Sequence, residues 1–126
     1  MTQTELAIKM IQEMHNLLSP PHAWCRGALK RERKGQAQYC IFGAMEEVCF
    51  EQPGPFLGEP YDYYSPEIRM EAICAMMDVI KQDWPHCISP TLFNDEYAKN
   101  KKEVLTTLEK TIAKLQENHD AKSESR

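Results

Sequence analysis

The sequence predicts a single all-α domain, a compact bundle of four helices, and three observations support this fold class. Hydrophobic residues recur every three or four positions in four stretches, which is the period of a helix with one buried face. Helix-capping residues stand directly before three of these stretches. The chain has 126 residues, enough for one domain, and only five glycines, few for a protein built from many tight turns.

The first two predicted helices differ in how clearly their starts are marked. Thr2 and Glu5 form a capping box before the first helix, and the prolines of Ser19-Pro20-Pro21 end it. The second helix has no such signal and is expected to begin near Gln36, with Gly43 allowing another helix to approach closely. We expect its buried face to comprise Cys40, Ile41, Ala44, Met45, Val48 and Cys49.

A long loop rich in proline and tyrosine, from Glu51 to Tyr64, connects the second and third predicted helices. Connections longer than about 12 residues are uncommon and often functional. The third helix is predicted to start at Ser65-Pro66-Glu67, which supplies an N-cap, a proline in the first turn and an acid at the positive end of the helix dipole. Pro85 is predicted to end this helix.

The last helix is expected after a short turn and loop over residues 89–99. Asn100, with an acid three residues later, repeats the capping pattern and precedes a helical hydrophobic repeat. Beyond Asn118 the chain is polar, and polar chain ends tend to fray. We therefore expect one helical domain over residues 1–118 and a frayed tail over residues 119–126.

Five cysteines, an odd number, favour a reducing compartment. The N-terminal residues lack the apolar segment of a signal peptide, and no apolar run is long enough to span a bilayer. We therefore expect a cytoplasmic protein with free thiols and no membrane partner. His22-x-x-Cys25 and His86-Cys87 contain the side chains of a zinc site, but adjacent residues rarely reach one metal ion. The prediction is no metal and no cofactor.

Charge is distributed unevenly along a chain whose net charge is −4. From Arg26 to Lys34 there are five basic residues against one acid, whereas residues 44–90 hold nine acids and two bases. Such a basic segment either pairs with acids inside the fold or marks a contact surface. Nucleic-acid binders usually carry a basic domain, so we expect no nucleic-acid partner. Arg31 and Arg33 are instead candidates for binding an acidic protein surface.

Three short motifs, taken in order, resemble the pattern of a known family. Trp24-Cys-Arg-Gly27 is followed by Tyr39-Cys40-Ile-Phe-Gly43-Ala44 and then by Leu92-Phe93-Asn94-Asp95. This Trp-x-x-Gly, Cys-x-x-Gly-Ala and aromatic-Asn-Asp order is similar to that of domain-of-unknown-function family 6197, a small family of bacteria and their phages. The chain departs from the family pattern between Gly27 and Tyr39, where its segment is short and basic. The resemblance spans residues 6–115 and implies a helical fold, but it implies no activity.

Cys40 is the residue that would act in a thiol-dependent enzyme. A nucleophilic thiol needs access to substrate and a pKa lowered by a helix N-terminus or a neighbouring base. His22, His86 and Asp95 are the residues that would supply this base and orient it. A cysteine on an apolar helix face is more often a small core residue. Similarly, Asn94 and Asp95 more often form an Asx-turn or a helix cap than a polar pair in a cleft beside Trp24.

The leading hypothesis is a small non-enzymatic protein of phage or mobile-element origin that binds a host protein. Its contacts would come from the basic run and from the aromatic loop, because tyrosine offers a large contact area at little entropic cost. A homodimer is also expected, through Phe50, Phe56 and Tyr61. The predicted binding residues are Trp24, Asn94, Asp95, Tyr61, Tyr63, Tyr64, Arg31 and Arg33.

The alternative hypothesis is a small-molecule binder or a thiol-dependent enzyme with one concave pocket. In that case Cys40 and Asp95 would be the catalytic residues. The side chains that would have to meet in the pocket are Trp24, Cys40, Asn94 and Asp95.

Overall fold

The computed structural model describes residues 1–51 and 64–124, and within these ranges the protein is mainly helical with one small two-stranded sheet. The helix over Ile41–Glu46, α2, continues as a π-helical turn over Glu47–Glu51. The short helix over Pro90–Leu92, α4, continues as another over Phe93–Tyr97. None of the described helices is both long enough and apolar enough to cross a bilayer. The elements are α1 (Gln3–Leu18), β1 (Lys30–Arg33), β2 (Gln36–Tyr39), α2 (Ile41–Glu46), α3 (Pro66–Asp83), α4 (Pro90–Leu92) and α5 (Lys101–Glu124).

Helix α1 begins and ends where the sequence predicts. Thr2 is the N-cap: its hydroxyl accepts a hydrogen bond from the Glu5 N–H at 3.1 Å, and the Glu5 carboxylate accepts the Thr2 N–H at 3.0 Å. The inner face of α1 packs against α3 and α5, which places the hydrophobic core between these three helices. The buried residues of this face are Thr4, Ala7, Met10, Ile11, Met14 and Leu18.

Helices α3 and α5 also start at their predicted caps. The Ser65 hydroxyl accepts the Ile68 N–H at 3.4 Å, and the Asn100 side-chain oxygen accepts the Glu103 N–H at 3.0 Å. Each bond satisfies one of the N–H groups that a helix N-terminus leaves without a partner inside the helix. The capping residues therefore set the starts of both helices.

The two ends of the described chain meet at the carboxylate of Glu71 on α3. This carboxylate accepts hydrogen bonds from Gln3 Nε2 at 2.8 Å and from Thr4 Oγ1 at 2.5 Å, and Lys122 Nζ lies 3.6 Å from it. Burial raises the pKa of Glu71, but these hydrogen bonds and the charge of Lys122 outweigh burial, so the pKa is lower than usual. The tail that we expected to fray from residue 119 is helical through Glu124 because it contacts α1 and α3 in this way.

The main departure from the predicted all-α class is a β-hairpin formed by β1 and β2. Antiparallel pairing joins Lys30 to Tyr39 and Arg33 to Gln36. The two turn residues, Lys34 and Gly35, have φ angles of +53° and +76°. Positive φ at both positions is typical of a type I′ turn, whose twist matches that of the two strands. The prediction that the second helix begins near Gln36 is therefore wrong, because Gln36–Tyr39 pair as a strand before α2 starts.

Gly43 lets the base of the hairpin lie against α2. A Cβ atom at this position would stand 1.7 Å from the Leu29 carbonyl oxygen. The same carbonyl accepts the Cys40 N–H at 3.2 Å, so the contact is part of the chain's hydrogen bonding. The sequence predicted that Gly43 permits a close approach, but the neighbour is the chain entering β1 and not another helix.

The segment over residues 89–99, predicted to be a turn and loop, contains α4 and its π-helical turn. The Ser89 hydroxyl accepts the Leu92 N–H at 3.0 Å, and Pro90 occupies the first helical position. These are the residue types that start a helix. The ring of Phe93 is buried against Trp84 at 5.1 Å between centroids, which fixes the segment to the end of α3.

We expect Gly43→Ala to destabilise the protein, although alanine normally favours a helix. Helix propensity alone would stabilise the variant by about 1 kcal/mol. The Cβ would instead overlap the Leu29 carbonyl, and overpacking of this kind costs about 2–3 kcal/mol. The measurement is the free energy of unfolding in urea. A Gly43→Ala variant more stable than the wild type would contradict the close approach.

Candidate functional site

Asn94 lies at the centre of the cluster formed by the three family-like motifs, on the turn that follows α4, and has no exposed surface. Its side-chain oxygen accepts Trp24 Nε1–H at 2.6 Å and the Ile41 N–H at 3.0 Å. Its side-chain nitrogen donates to the Cys25 carbonyl at 3.0 Å and to Asp95 Oδ1 at 2.9 Å. An amide has two donor and two acceptor positions, and all four are occupied here. Asn94 therefore binds three segments of its own chain and has no capacity left for a ligand.

The amide also serves a helix N-terminus, as predicted for an Asn before a helix, but the helix is α2. Ile41 is the first residue of α2, and the first N–H groups of a helix have no partner within it. Asp95 supports the same arrangement, since its Oδ1 accepts the Gly27 N–H at 3.0 Å as well as the Asn94 amide. Gly27 has φ of +78°, where glycine is favoured.

Trp24 is partly buried and has contacts on its edge and on its face. Its indole N–H donates to Asn94. The guanidinium carbon of Arg26 lies 5.0 Å from the ring centroid, a cation–π distance. Arg26 also donates to the Ala98 carbonyl, which holds it over the ring. The indole is therefore part of the junction and not an open stacking platform.

Cys40 is the N-cap of α2, and its sulfur accepts the Gly43 N–H at 3.3 Å. Only 1% of the residue is exposed. Burial raises the pKa of the Cys40 thiol, hydrogen bonds from Gly43 and Phe42 lower it only in part, and the charge of Asp95 raises it further. Burial likewise raises the pKa of Cys25. A nucleophilic thiol needs the opposite environment.

The four residues of the predicted pocket thus do come together in space. Trp24, Asn94 and Asp95 form one hydrogen-bond network, and Cys40 stands next to Ile41, whose N–H joins that network. Their polar groups bind one another and the backbone. The role that this geometry supports is structural. The cluster joins the chain before β1 to the start of α2 and to the turn after α4.

The predicted basic residues lie on the hairpin, whose β1 residues are all exposed. Arg31 Nε donates to the side-chain oxygen of Gln38 at 2.8 Å. Lys30 Nζ lies 3.7 Å from the Glu47 carboxylate and 5.6 Å from the centre of the Tyr39 ring. A polar groove of about 390 Å³ runs along one face of the hairpin. Its lining residues are His22, Arg33, Lys34, Gln36 and Gln38.

Of the aromatic contacts predicted for the loop and the dimer, only Tyr64 and Phe50 lie within the described residues. Tyr64 has no exposed surface, and its hydroxyl donates to the Glu13 carboxylate, so it packs inside the protein. Phe50 is half-exposed, with the Arg69 guanidinium 4.9 Å from its ring centroid. The remaining calls, Phe56, Tyr61 and Tyr63, lie outside the described residues.

Residues 1–51 and 64–124 contain no cluster of side chains suited to binding a metal ion. No group of three or more His, Cys, Asp or Glu side chains is placed there to hold an ion. Two His–Cys pairs in the sequence contain the side chains of a zinc site. Their cysteines, Cys25 and Cys87, are both buried free thiols. Each instead approaches a backbone carbonyl, that of Ala28 and that of Ser89 respectively.

Sequence reasoning missed the residues that shape the groove, although one signal was present. Gln36-Ala-Gln-Tyr39 alternates polar and apolar residues, the period of a strand with one buried face. It follows a glycine that can close a two-residue turn. The first strand, Lys30-Arg-Glu-Arg33, contains no apolar residue and so gives no periodic signal.

Fold and cluster together define a small, mainly helical protein in which a buried asparagine fixes an exposed basic hairpin to the helices. The sequence pattern of DUF6197, a family of unknown function, matches residues 2–114, and the chain belongs to this family. The resemblance inferred from the three motifs is thereby confirmed. No curated protein and no solved structure is significantly similar to the chain.

We expect Asn94→Ala to lower the free energy of unfolding by about 3 kcal/mol, because it leaves buried Trp24, Ile41 and Cys25 groups without partners. Asn16→Ala, at an exposed position of α1, is the matched control and should change stability by less than about 0.5 kcal/mol. Both values follow from urea unfolding. Similar stabilities for the two variants would contradict the central position of Asn94.

We expect one cysteine of the native protein to react quickly with a disulfide reagent at neutral pH. Cys74 is exposed, whereas Cys25, Cys40, Cys49 and Cys87 are buried. The raised pKa values of Cys25 and Cys40 keep these thiols protonated, which slows attack further. The measurement is the reaction rate of wild type and Cys74→Ser, with all thiols titrated in urea as the reference. Rapid reaction at Cys40 would support the enzyme hypothesis instead.

Proposed function

We propose that the protein is a non-enzymatic binding protein whose basic hairpin contacts an acidic surface of a protein partner. The hairpin comprises residues 30–39 and carries four exposed cationic side chains. The proposal rests on one observation: the positive charge lies on a β-hairpin whose base is held in place by the rest of the protein. The cationic residues are Lys30, Arg31, Arg33 and Lys34.

The base of the hairpin is fixed on both sides. The Tyr39 N–H donates to the Ala23 carbonyl at 2.7 Å, and the Cys25 N–H donates to the Tyr39 carbonyl at 3.0 Å. Gly43 allows Leu29 to lie against α2. A hairpin that is already fixed in place loses less conformational entropy on binding than a flexible loop does. This favours a contact surface over a solvated loop.

Among the described residues, acids compensate little of the hairpin's charge. Lys30 faces Glu47 at 3.7 Å, a distance at which a surface pair contributes little. Arg31 bonds to Gln38, which is neutral. In the described part of the chain, no ion pair joins Arg33 or Lys34 to an acid. The remaining positive charge is therefore available to an acidic partner.

A protein partner is favoured over nucleic acid. Binding of single strands uses aromatic faces on which bases stack. Within residues 1–51 and 64–124, Tyr39 lies in the hairpin but is buried, and Trp24 lies beside it with its ring covered by Arg26.

The proposal extends to cellular context. We propose a cytoplasmic location, because five cysteines are an odd number. The family resemblance supports a phage or mobile-element origin and a host protein as partner.

A bundle-like scaffold of α1, α3 and α5 would support the hairpin, and half-exposed Phe50 supports a homodimer. The thiol-enzyme alternative is disfavoured because Cys40 is buried with a raised pKa.

The test compares two variants with the same change in net charge. Arg31→Glu/Arg33→Glu reverses the hairpin, whereas Lys102→Glu/Lys110→Glu reverses two exposed residues of α5. Tagged proteins are incubated with a bacterial lysate, and the bound proteins are quantified by mass spectrometry. We expect the hairpin variant to lose acidic partners at least about tenfold, because like charges then face each other. The α5 variant should retain them.

Salt and DNA provide the remaining arms of this test. Raising ionic strength should weaken capture by the wild type, since exposed charges are screened. Equal capture by both charge-reversal variants would refute the hairpin as the contact surface. Tighter binding of a DNA duplex than of the captured proteins would replace the protein partner with nucleic acid.

A further inference from the structure

We propose that the outer edge of β2 takes an extended segment of the partner in which acidic and apolar residues alternate. This inference rests on the proposed function and specifies the partner's chemistry. It follows from three features at Gln36–Ala37: unpaired backbone groups, a cationic groove on one side and an apolar groove on the other.

The edge of β2 is already used for pairing at one end. There the segment Ala23–Cys25 bonds to the outward N–H and C=O of Tyr39. Backbone groups two residues apart in a strand point to the same edge, so the N–H and C=O of Ala37 face outward as well. Across the described residues, no backbone hydrogen bond pairs these two groups. The chain before Ala23 forms a turn, in which the Ala23 N–H donates to the Pro20 carbonyl at 3.1 Å, and Pro20 and Pro21 line the groove that Ala37 also lines.

The two grooves meet at this open edge, because His22 and Gln36 line both of them. The cationic groove, of about 390 Å³, contains Arg33 and Lys34. The apolar groove is about 360 Å³. Its apolar lining comes from Leu17, Pro20, Pro21, Ala37 and Tyr39.

Strand geometry links these grooves to a sequence pattern. Consecutive side chains of a strand point to opposite faces of the sheet. A partner strand bonded to Ala37 would therefore place one side chain in each groove. A carboxylate suits Arg33 and Lys34, since charged groups of opposite sign give charge-assisted hydrogen bonds. An aliphatic side chain suits the groove beside Leu17 and Pro20, where it is removed from water.

Apart from the shortness of β2, which has four residues, the edge has none of three features that usually prevent pairing. Edge strands are commonly protected by proline, by a bulge or by a charged side chain at the open position. Position 37 holds alanine, and the β1–β2 register shows regular pairing through Ala37. The charged residues of the hairpin lie on β1 and in the turn. No proline, bulge or charged side chain of β2 therefore blocks strand addition at Ala37.

Two synthetic peptides of identical composition test the inference. One alternates the residues, as Ser-Glu-Leu-Glu-Leu-Ser, and the other separates the acidic pair from the apolar pair, as Glu-Glu-Ser-Ser-Leu-Leu, so that no glutamate is adjacent to a leucine. Each carries fluorescein, and binding to the full-length wild type is measured by fluorescence anisotropy. We expect the alternating peptide to bind at least about tenfold more tightly, because only it fills both grooves and bonds to the edge. N-methylation of its backbone should remove this advantage.

Protein variants locate the binding to the edge. Ala37→Pro removes the outward N–H, which the hairpin does not use, whereas Ala37→Ser keeps it. We expect Ala37→Pro to bind both peptides equally and Ala37→Ser to behave as the wild type. Circular dichroism establishes that both variants fold. If Ala37→Pro fails to fold, the wild-type comparison of methylated and unmethylated peptides decides the question.

The outcomes separate this inference from the proposed function. Equal affinity of the wild type for both peptides, with binding lost in Arg31→Glu/Arg33→Glu, would overturn the strand pairing and leave charge-based binding intact. Failure of the wild type both to bind either peptide and to capture acidic proteins would overturn both proposals. Concentration-dependent dimerisation that Ala37→Pro abolishes, without discrimination between the peptides, would assign the edge to a second copy of the chain.

Discussion

The hydrogen bonding of Asn94 is the constraint on which the arrangement of the rest depends. One buried amide joins the indole of Trp24, the carbonyl of Cys25 and the first N–H of α2. These groups come from two segments that are far from Asn94 in sequence and that share no continuous helix face. A buried amide with all four positions filled is stabilising, whereas each unfilled position costs the desolvation of its group. Asn94 therefore specifies one relative placement of the hairpin base, α2 and the turn after α4.

The helices that depend on local signals were predictable from the sequence. Thr2, Ser65 and Asn100 each provide a side-chain oxygen to a nearby N–H, and the helical hydrophobic repeat continues from there. The hairpin was not predictable in the same way, because β1 has no apolar face and Lys34 occupies a left-handed position that lysine seldom adopts. Its stability comes from long-range contacts at Leu29, Ala23 and Tyr39. A sequence window does not contain such contacts.

The candidate site was likewise predictable only in part. The motifs around Trp24, Cys40 and Asn94 were recognisable as a set, and the structure does bring them together. What they do was not readable from residue type, since a cysteine near a helix start suits either a nucleophile or a cap. Burial decides between these, because it raises the pKa of Cys40 while its sulfur accepts the Gly43 N–H. The residues that shape the two grooves include Gln36 and Ala37, whose roles exist only once β2 has formed.

The buried junction and the exposed hairpin are consequently built from different parts of the sequence. The three motifs around Trp24, Cys40 and Asn94 build the buried junction, while the segment between Gly27 and Tyr39 forms the hairpin. A hairpin tip held only at its base can change charge and length without disturbing the amide that fixes it, because its own side chains are solvated and the junction's bonds lie elsewhere.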